Sequence, residues 1–116
     1  MTATQRTYKS NVDAELYEPF MVGDRQIGVV HWLRDTAGGE AILWTGLWKA
    51  EPGSFDYVFE SDETFLLLSG AVTVDTGDES VELQKGDIVS FVAGTKATWH
   101  VLEPSKKFFV VSGCQS

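Results

Sequence analysis

Turn signals recur along this chain at short, nearly even intervals, and that spacing constrains the fold more than any other feature. Ala37-Gly38-Gly39-Glu40, Pro52-Gly53, Ser69-Gly70, Thr76-Gly77-Asp78-Glu79 and Lys85-Gly86-Asp87 each interrupt a short apolar or β-branched run. Proline fixes the first corner of a turn and glycine takes the positive φ of the next, so such groups end strands. The runs between them, 27–33, 41–51, 55–60, 64–68, 71–75, 80–84, 88–92, 97–102 and 107–112, read as strands. Turn signals about every eight to twelve residues, with no helical period, indicate an all-β sandwich or barrel. Residues 1–26 are polar and weakly patterned. Their one apolar cluster, 16–22, contains Pro19, which opposes a helix, so this segment reads as an extended arm against the domain or a partner subunit. Residues 27–116 then form the domain.

The 116 residues, 43% of them hydrophobic, suit one compact domain. Acidic residues outnumber basic ones 17 to 9, for a net charge of -8. A chain this acidic is repelled by phosphate backbones and anionic lipid surfaces, which argues against nucleic acid and membranes as partners. The single cysteine, Cys114, permits no intrachain disulfide and no cysteine zinc site. It reads as a small apolar residue near the terminus. No basic, apolar leader opens the chain, and no apolar run approaches the ~20 residues of a membrane span. A soluble, cytoplasmic protein is expected.

The order of residues from 63 to 111 carries a resemblance. Glu63-Thr64-Phe65-Leu66-Leu67-Leu68-Ser69-Gly70 is an acid, an aromatic, leucines and a glycine. Val81 to Thr95 holds a strand, the Gly86-Asp87 corner, a second strand and the Ala93-Gly94 corner. Ala97-Thr98-Trp99-His100-Val101 and Lys107-Phe108-Phe109-Val110-Val111 follow. The series resembles the cupin superfamily, whose fold is a double-stranded β-helix, or jelly-roll barrel. It looks closest to the small single-domain group related to the (S)-ureidoglycine aminohydrolase cupins, and Gly46-Leu47-Trp48 with Pro52-Gly53-Ser54-Phe55 strengthens that likeness. The resemblance covers about residues 41–113 and implies a jelly-roll barrel behind an extended N-terminal arm. It says little of function, because one fold hosts many chemistries.

The superfamily's metal motifs can be tested against this chain. The first ends in a glutamate, six residues and a glycine, which Glu63 and Gly70 match. The two histidines wanted before the glutamate fall at Tyr57 and Phe59, or at Asp56 and Val58. In the second motif Gly86 and Gly94 fit, Val92 replaces a proline, and Ala97 stands at the histidine ligand position. Strand alternation places His100 on the face opposite Ala97. One carboxylate without an imidazole makes no tight transition-metal site, so no metal and no other cofactor is expected. His31, on an apolar strand, reads as a structural residue. The acids Asp56, Glu60, Asp62 and Glu63 read as a solvated run, and their spacing is not that of a calcium loop.

An aromatic interior remains. Alternation puts Ile42, Trp44, Gly46, Trp48 and Ala50 on one face, Trp99 and Val101 on another, and Glu63, Phe65 and Leu67 on a third. If these point inward, the barrel surrounds a carboxylate with tryptophans, an arrangement suited to a small polar or cationic ligand. The plainer reading, that Trp44, Trp48 and Trp99 are only core, stays open. Tyr57 stands at the mouth, and Lys96 in the Ala93 to Lys96 corner is placed to lean over it. Glu63 is the candidate catalytic group. Desolvation with no metal would raise its pKa, unless it serves only to bond an indole or backbone N–H. The leading expectation is a protein that binds or transforms a small polar organic molecule in an aromatic, metal-free barrel. One alternative is a metal-dependent hydrolase resembling (S)-ureidoglycine aminohydrolase, acting on a ureide. Another is a ligand-sensing module without its own DNA-binding domain. Outward Leu43, Leu47, Leu66 and Leu68, with the arm, lead to the expectation of a homodimer.

Overall fold

The computed structural model describes residues 6–38 and 41–114, and every regular element among them is a strand. In chain order these are β1 (Glu18–Val22), β2 (Arg25–Gly38), β3 (Ala41–Ala50), β4 (Gly53–Val58), β5 (Asp62–Asp75), β6 (Ser80–Gln84), β7 (Ile88–Phe91) and β8 (Lys96–Cys114). All pairings are antiparallel, and the main path runs β1-β2-β3-β8-β5-β6, with β4 on β8 and β7 on β5. This is the all-β architecture expected from the turn spacing and the jelly roll implied by the resemblance.

β5 and β8 hold the barrel together because each serves two sheets. The first half of β5 pairs with β7 and with the second half of β8, which also takes β3. The second half of β5 pairs with β6 and with the first half of β8, which also takes β4. Both strands must bend to do this. Ser69-Gly70, expected to be a turn, is instead an irregularity inside β5, where the register on β8 shifts between Leu67 and Val72. Gly70 has φ +94°, and a Cβ there would collide with Ser105 Oγ and Pro104 O. A positive-φ glycine ends a strand when the chain beyond lacks a partner. Here β8 accompanies both flanks, so the glycine only bends β5. The expected strands 97–102 and 107–112 are likewise one strand, β8.

The segment expected to be an extended arm contains β1, hydrogen-bonded along the edge of β2. Upstream, His31 Nδ1 donates to Leu16 O at 2.8 Å, and Lys106 Nζ donates to Val12 O. The Lys49 ammonium lies 4.2 Å from the centre of the Tyr17 ring. These contacts change the reading of one outward leucine. Leu47 is only 4% exposed, in a small recess shared with Ser10, Asn11, Val12 and Phe108. The chain's own arm covers it, so it offers nothing to a partner. Leu43, Leu66 and Leu68 are half-buried. The large apolar side chains that stand open include Leu16, Ile88, Val92 and Leu102.

Alternation sets the interior. Phe65, Leu67, Val72 and Val74 of β5 are buried, as are Ala97, Trp99, Val101 and Phe109 of β8, with Val30, Trp48, Leu83 and Phe91 from neighbouring strands. Both sheets contribute to this single core. One of its layers carries charge.

Candidate functional site

The side chains of β8 that face inward past its bend are Ser105, Lys107 and Phe109, all buried. Lys107 lies opposite Trp48 of β3 and Leu67 of β5 in the ladder, and Glu63 opposite Val111. From there the Lys107 side chain reaches along the barrel until Nζ sits 2.6 Å from Glu63 Oε2. The two residues are 6% and 3% exposed, so both charges are withdrawn from water. Aromatic faces complete the surroundings. The ammonium lies 4.4 Å from the ring centre of Phe65, 4.6 Å from Trp99, 4.9 Å from Trp48 and 5.7 Å from Phe109. Ring faces carry negative partial charge and attract a cation within ~6 Å. The rings are themselves fixed against one another. Trp48 meets Trp99 edge-on at 5.5 Å, and Phe55 stacks on Trp99 at 5.7 Å.

This pair corrects two expectations. Glu63 was read as a carboxylate without a counter-charge, or as one bonded to an indole or backbone N–H; its partner is Lys107. The aromatic cage was read as open to a cationic ligand, but the chain's own ammonium fills it. Burial pushes the Lys107 amine below its ordinary range, and the charge and hydrogen bond of Glu63 oppose that shift without cancelling it.

A cavity of about 750 Å³ opens beside the pair. Glu63, Lys107, Trp44, Trp48, Tyr57 and Trp99 all line it, so five of the six sequence-expected site residues converge there. Trp44 and Tyr57 are half-buried, while Trp48 and Trp99 are buried. The sixth, Lys96, does not line the cavity. It is the first residue of β8, exposed, with parity opposite to inward Ala97. Residues 20–23 of the N-terminal segment also line the cavity, together with Ile27, Val30, Trp32 and Phe55. Cys114 is described only in its backbone.

Polar groups of the lining residues are unevenly satisfied. Trp48 Nε1 donates to Ile27 O at 2.7 Å. Trp99 is 2% exposed, yet its Nε1 is buried with no hydrogen-bond partner among the described residues. Lys107 commits one N–H to Glu63, and no other hydrogen bond of its ammonium occurs among the described residues. Burial, and then the charges of Glu63 and Glu60, push the Tyr57 phenol well above its ordinary 10.0. It therefore stays a neutral donor. Asp35, Asp56 and Glu60 are exposed lining residues, so with Glu63 four carboxylates face one ammonium.

The donors do not fit the metal that the cupin fold commonly holds. Among the described residues no three His, Cys, Asp or Glu side chains gather as a metal site. Tyr57, Phe59 and Ala97 stand at the imidazole positions, and Glu63 is bound by Lys107. His31 points outward, with Nε2 2.6 Å from Ser10 Oγ and Nδ1 on Leu16 O. His100 also faces outward and bonds Ser54 Oγ at 2.8 Å.

Comparison with known proteins supports the fold. A Thermotoga maritima protein of the DUF861 family is 36% identical with a TM-score of 0.54, the match covering 56% of this chain and 75% of that one. The ethanolamine utilization protein Q of Salmonella typhimurium is 17% identical with a TM-score of 0.56, over 60% of this chain and 56% of that one. The EutQ protein of Clostridium difficile is 18% identical with a TM-score of 0.59, over 72% and 68%. The chain thus spans little more than half of the Salmonella protein, and likeness at such identities concerns the fold alone. No curated protein matches the chain. The EutQ-like cupin domain profile matches residues 39–109, most of the chain, so the protein belongs to the EutQ-like cupin family.

Proposed function

We propose that the protein binds a small, uncharged organic molecule through a carbonyl group, in the aromatic cavity beside Glu63 and Lys107. The observation that carries this reading is the pair of unspent donors on two residues that line the cavity. The Trp99 indole N–H has no partner among the described residues, and the Lys107 ammonium 4.6 Å from that ring uses one of its N–H groups on Glu63. A buried donor without a partner costs ~1–3 kcal/mol, which a ligand acceptor returns on binding. Charge narrows the ligand further. Four lining carboxylates against one ammonium repel an anion. A cationic ligand finds the cage already holding Lys107. A neutral acceptor with an apolar body fits both conditions, and ~750 Å³ lies within the usual range for such sites.

The metal-dependent alternative, a step on a ureide, has nothing in its favour at this donor set. Shape-matched probes test the proposal. Benzamide, benzoate and benzylammonium share one ring and differ in charge, so calorimetric titration separates acceptor recognition from charge recognition. Benzamide is expected to bind about tenfold or more tighter than either ion, a difference of ~1.4 kcal/mol. Tighter binding of benzoate or benzylammonium would overturn the proposal, as would no binding of any of the three.

A further inference from the structure

We propose that Lys107 forms an imine with an aldehyde or ketone bound in the cavity, with Glu63 moving the protons. The inference deepens the carbonyl-binding reading and rests on it.

Three features of the geometry carry it. Lys107, which lines the aromatic cavity, carries a primary amine 4.6 Å from the ring of Trp99, whose Nε1–H has no partner among the described residues. Its one hydrogen-bond partner, Glu63 Oε2 at 2.6 Å, is an acid–base group already in contact with the nitrogen. The four ring faces that hold the ammonium would also attract an iminium, whose positive charge is shared by the same nitrogen and the carbon bonded to it. The product therefore keeps its cationic nitrogen beside the same rings and the same carboxylate. A lysine made available by burial is the usual source of such a nucleophile, and burial does push this amine downward.

The steps balance. Glu63 takes a proton from the ammonium and leaves a neutral amine. The amine lone pair attacks the carbonyl carbon, the C=O π pair moves to oxygen, and that oxygen takes the proton back from Glu63. Glu63 removes a second proton from nitrogen and then delivers it to the hydroxyl, which leaves as water while the nitrogen lone pair forms the C=N bond. In sum, ammonium and carbonyl become iminium and water, and Glu63 ends as a carboxylate. No oxidant or reductant takes part.

Reductive trapping tests this. The full-length protein is incubated with benzaldehyde and cyanoborohydride, whose hydride converts the C=N bond into a stable secondary amine, and the modified lysines are mapped by peptide mass spectrometry. Lys107 is expected to be modified about tenfold or more faster than Lys9, Lys49, Lys85, Lys96 or Lys106. Lys107→Arg keeps a cation beside Glu63 but has no imine-forming amine, so the fast adduct should vanish. Should that variant fail to fold, Glu63→Gln serves instead and should slow trapping at Lys107 by about tenfold or more. Adducts confined to the other lysines, while benzamide still binds, would overturn the imine and leave the carbonyl-binding reading in place. Absence of both the adduct and benzamide binding would overturn both.

Discussion

Replacing Lys107 with methionine keeps an unbranched, apolar side chain among Trp48, Phe65, Trp99 and Phe109 and removes only the ammonium. Glu63, 3% exposed, then has no counter-charge, and taking up a proton relieves it. A free glutamate titrates near ~4.3 and each pH unit above that costs ~1.4 kcal/mol, so the folded variant loses ~3.7 kcal/mol at pH 7. That agrees with the ~3–5 kcal/mol typical of breaking a buried ion pair from one side. The sign follows from proton counting. At pH 7 the folded variant holds a proton that the unfolded chain does not, so its stability rises as the pH falls. At pH 5 the deficit should shrink to ~1 kcal/mol. Urea unfolding of the parent and Lys107→Met at both pH values measures this. The double variant Glu63→Leu, Lys107→Met should return to within ~1 kcal/mol of the parent or exceed it, because two apolar groups replace two desolvated charges. A single-variant deficit below ~1 kcal/mol at pH 7, or one equal at both pH values, would refute the buried-pair reasoning.

Other outcomes follow from the same structure. The Tyr57 phenol is raised above 10.0 in the fold, chiefly by burial, so its contribution is complete below pH 10.0 and is lost as the pH rises beyond it. Tyr57→Phe should flatten the alkaline fall in stability followed by circular dichroism, and an unchanged slope would contradict the assignment. Elemental analysis of purified protein should find no stoichiometric transition metal, since Tyr57, Phe59 and Ala97 replace the imidazoles; one tightly held metal per chain would contradict the donor argument. Leu47→Asp should lower the melting temperature without changing subunit number, because the chain's own arm covers Leu47. Light scattering is expected to show a dimer that Leu16→Asp weakens, Leu16 being 84% exposed. A monomeric parent would remove that expectation.

The strands were legible because turns and alternation are local. Gly77 and Gly86 mark true corners with positive φ, whereas at Pro52-Gly53 the chain bends at Pro52 and Gly53 begins β4 without the positive φ expected of it; the inward faces 63-65-67 and 99-101 follow directly from parity. Gly70 was not legible, since the same positive-φ residue ends a strand or bends it depending on whether a distant strand accompanies both flanks. β1 was hidden by Pro19, which stands inside the apolar cluster 16–22. In the site, Glu63 stood out through its spacing to Gly70, and the tryptophans through alternation. Lys107 was missed. It follows Lys106 in the run Pro104-Ser105-Lys106-Lys107-Phe108-Phe109, where paired lysines look solvated and two adjacent phenylalanines leave the inward parity ambiguous. The parity of Val111, which pairs with Glu63, would have resolved it: 111, 109 and 107 share one face. The corner position of Lys96 suggests the mouth, but its parity, opposite to that of inward Ala97, places it outside.

The carbonyl-binding claim is tested most directly at one atom. Trp99 Nε1–H gives a single indole resonance in a proton–nitrogen correlation spectrum, assignable by its loss in Trp99→Phe. During titration with benzamide this resonance should move downfield as its N–H gains an acceptor. The Trp48 Nε1–H, already bonded to Ile27 O at 2.7 Å, should move far less. A Trp99 resonance that stays fixed at saturating benzamide, or moves no more than that of Trp48, would contradict the account.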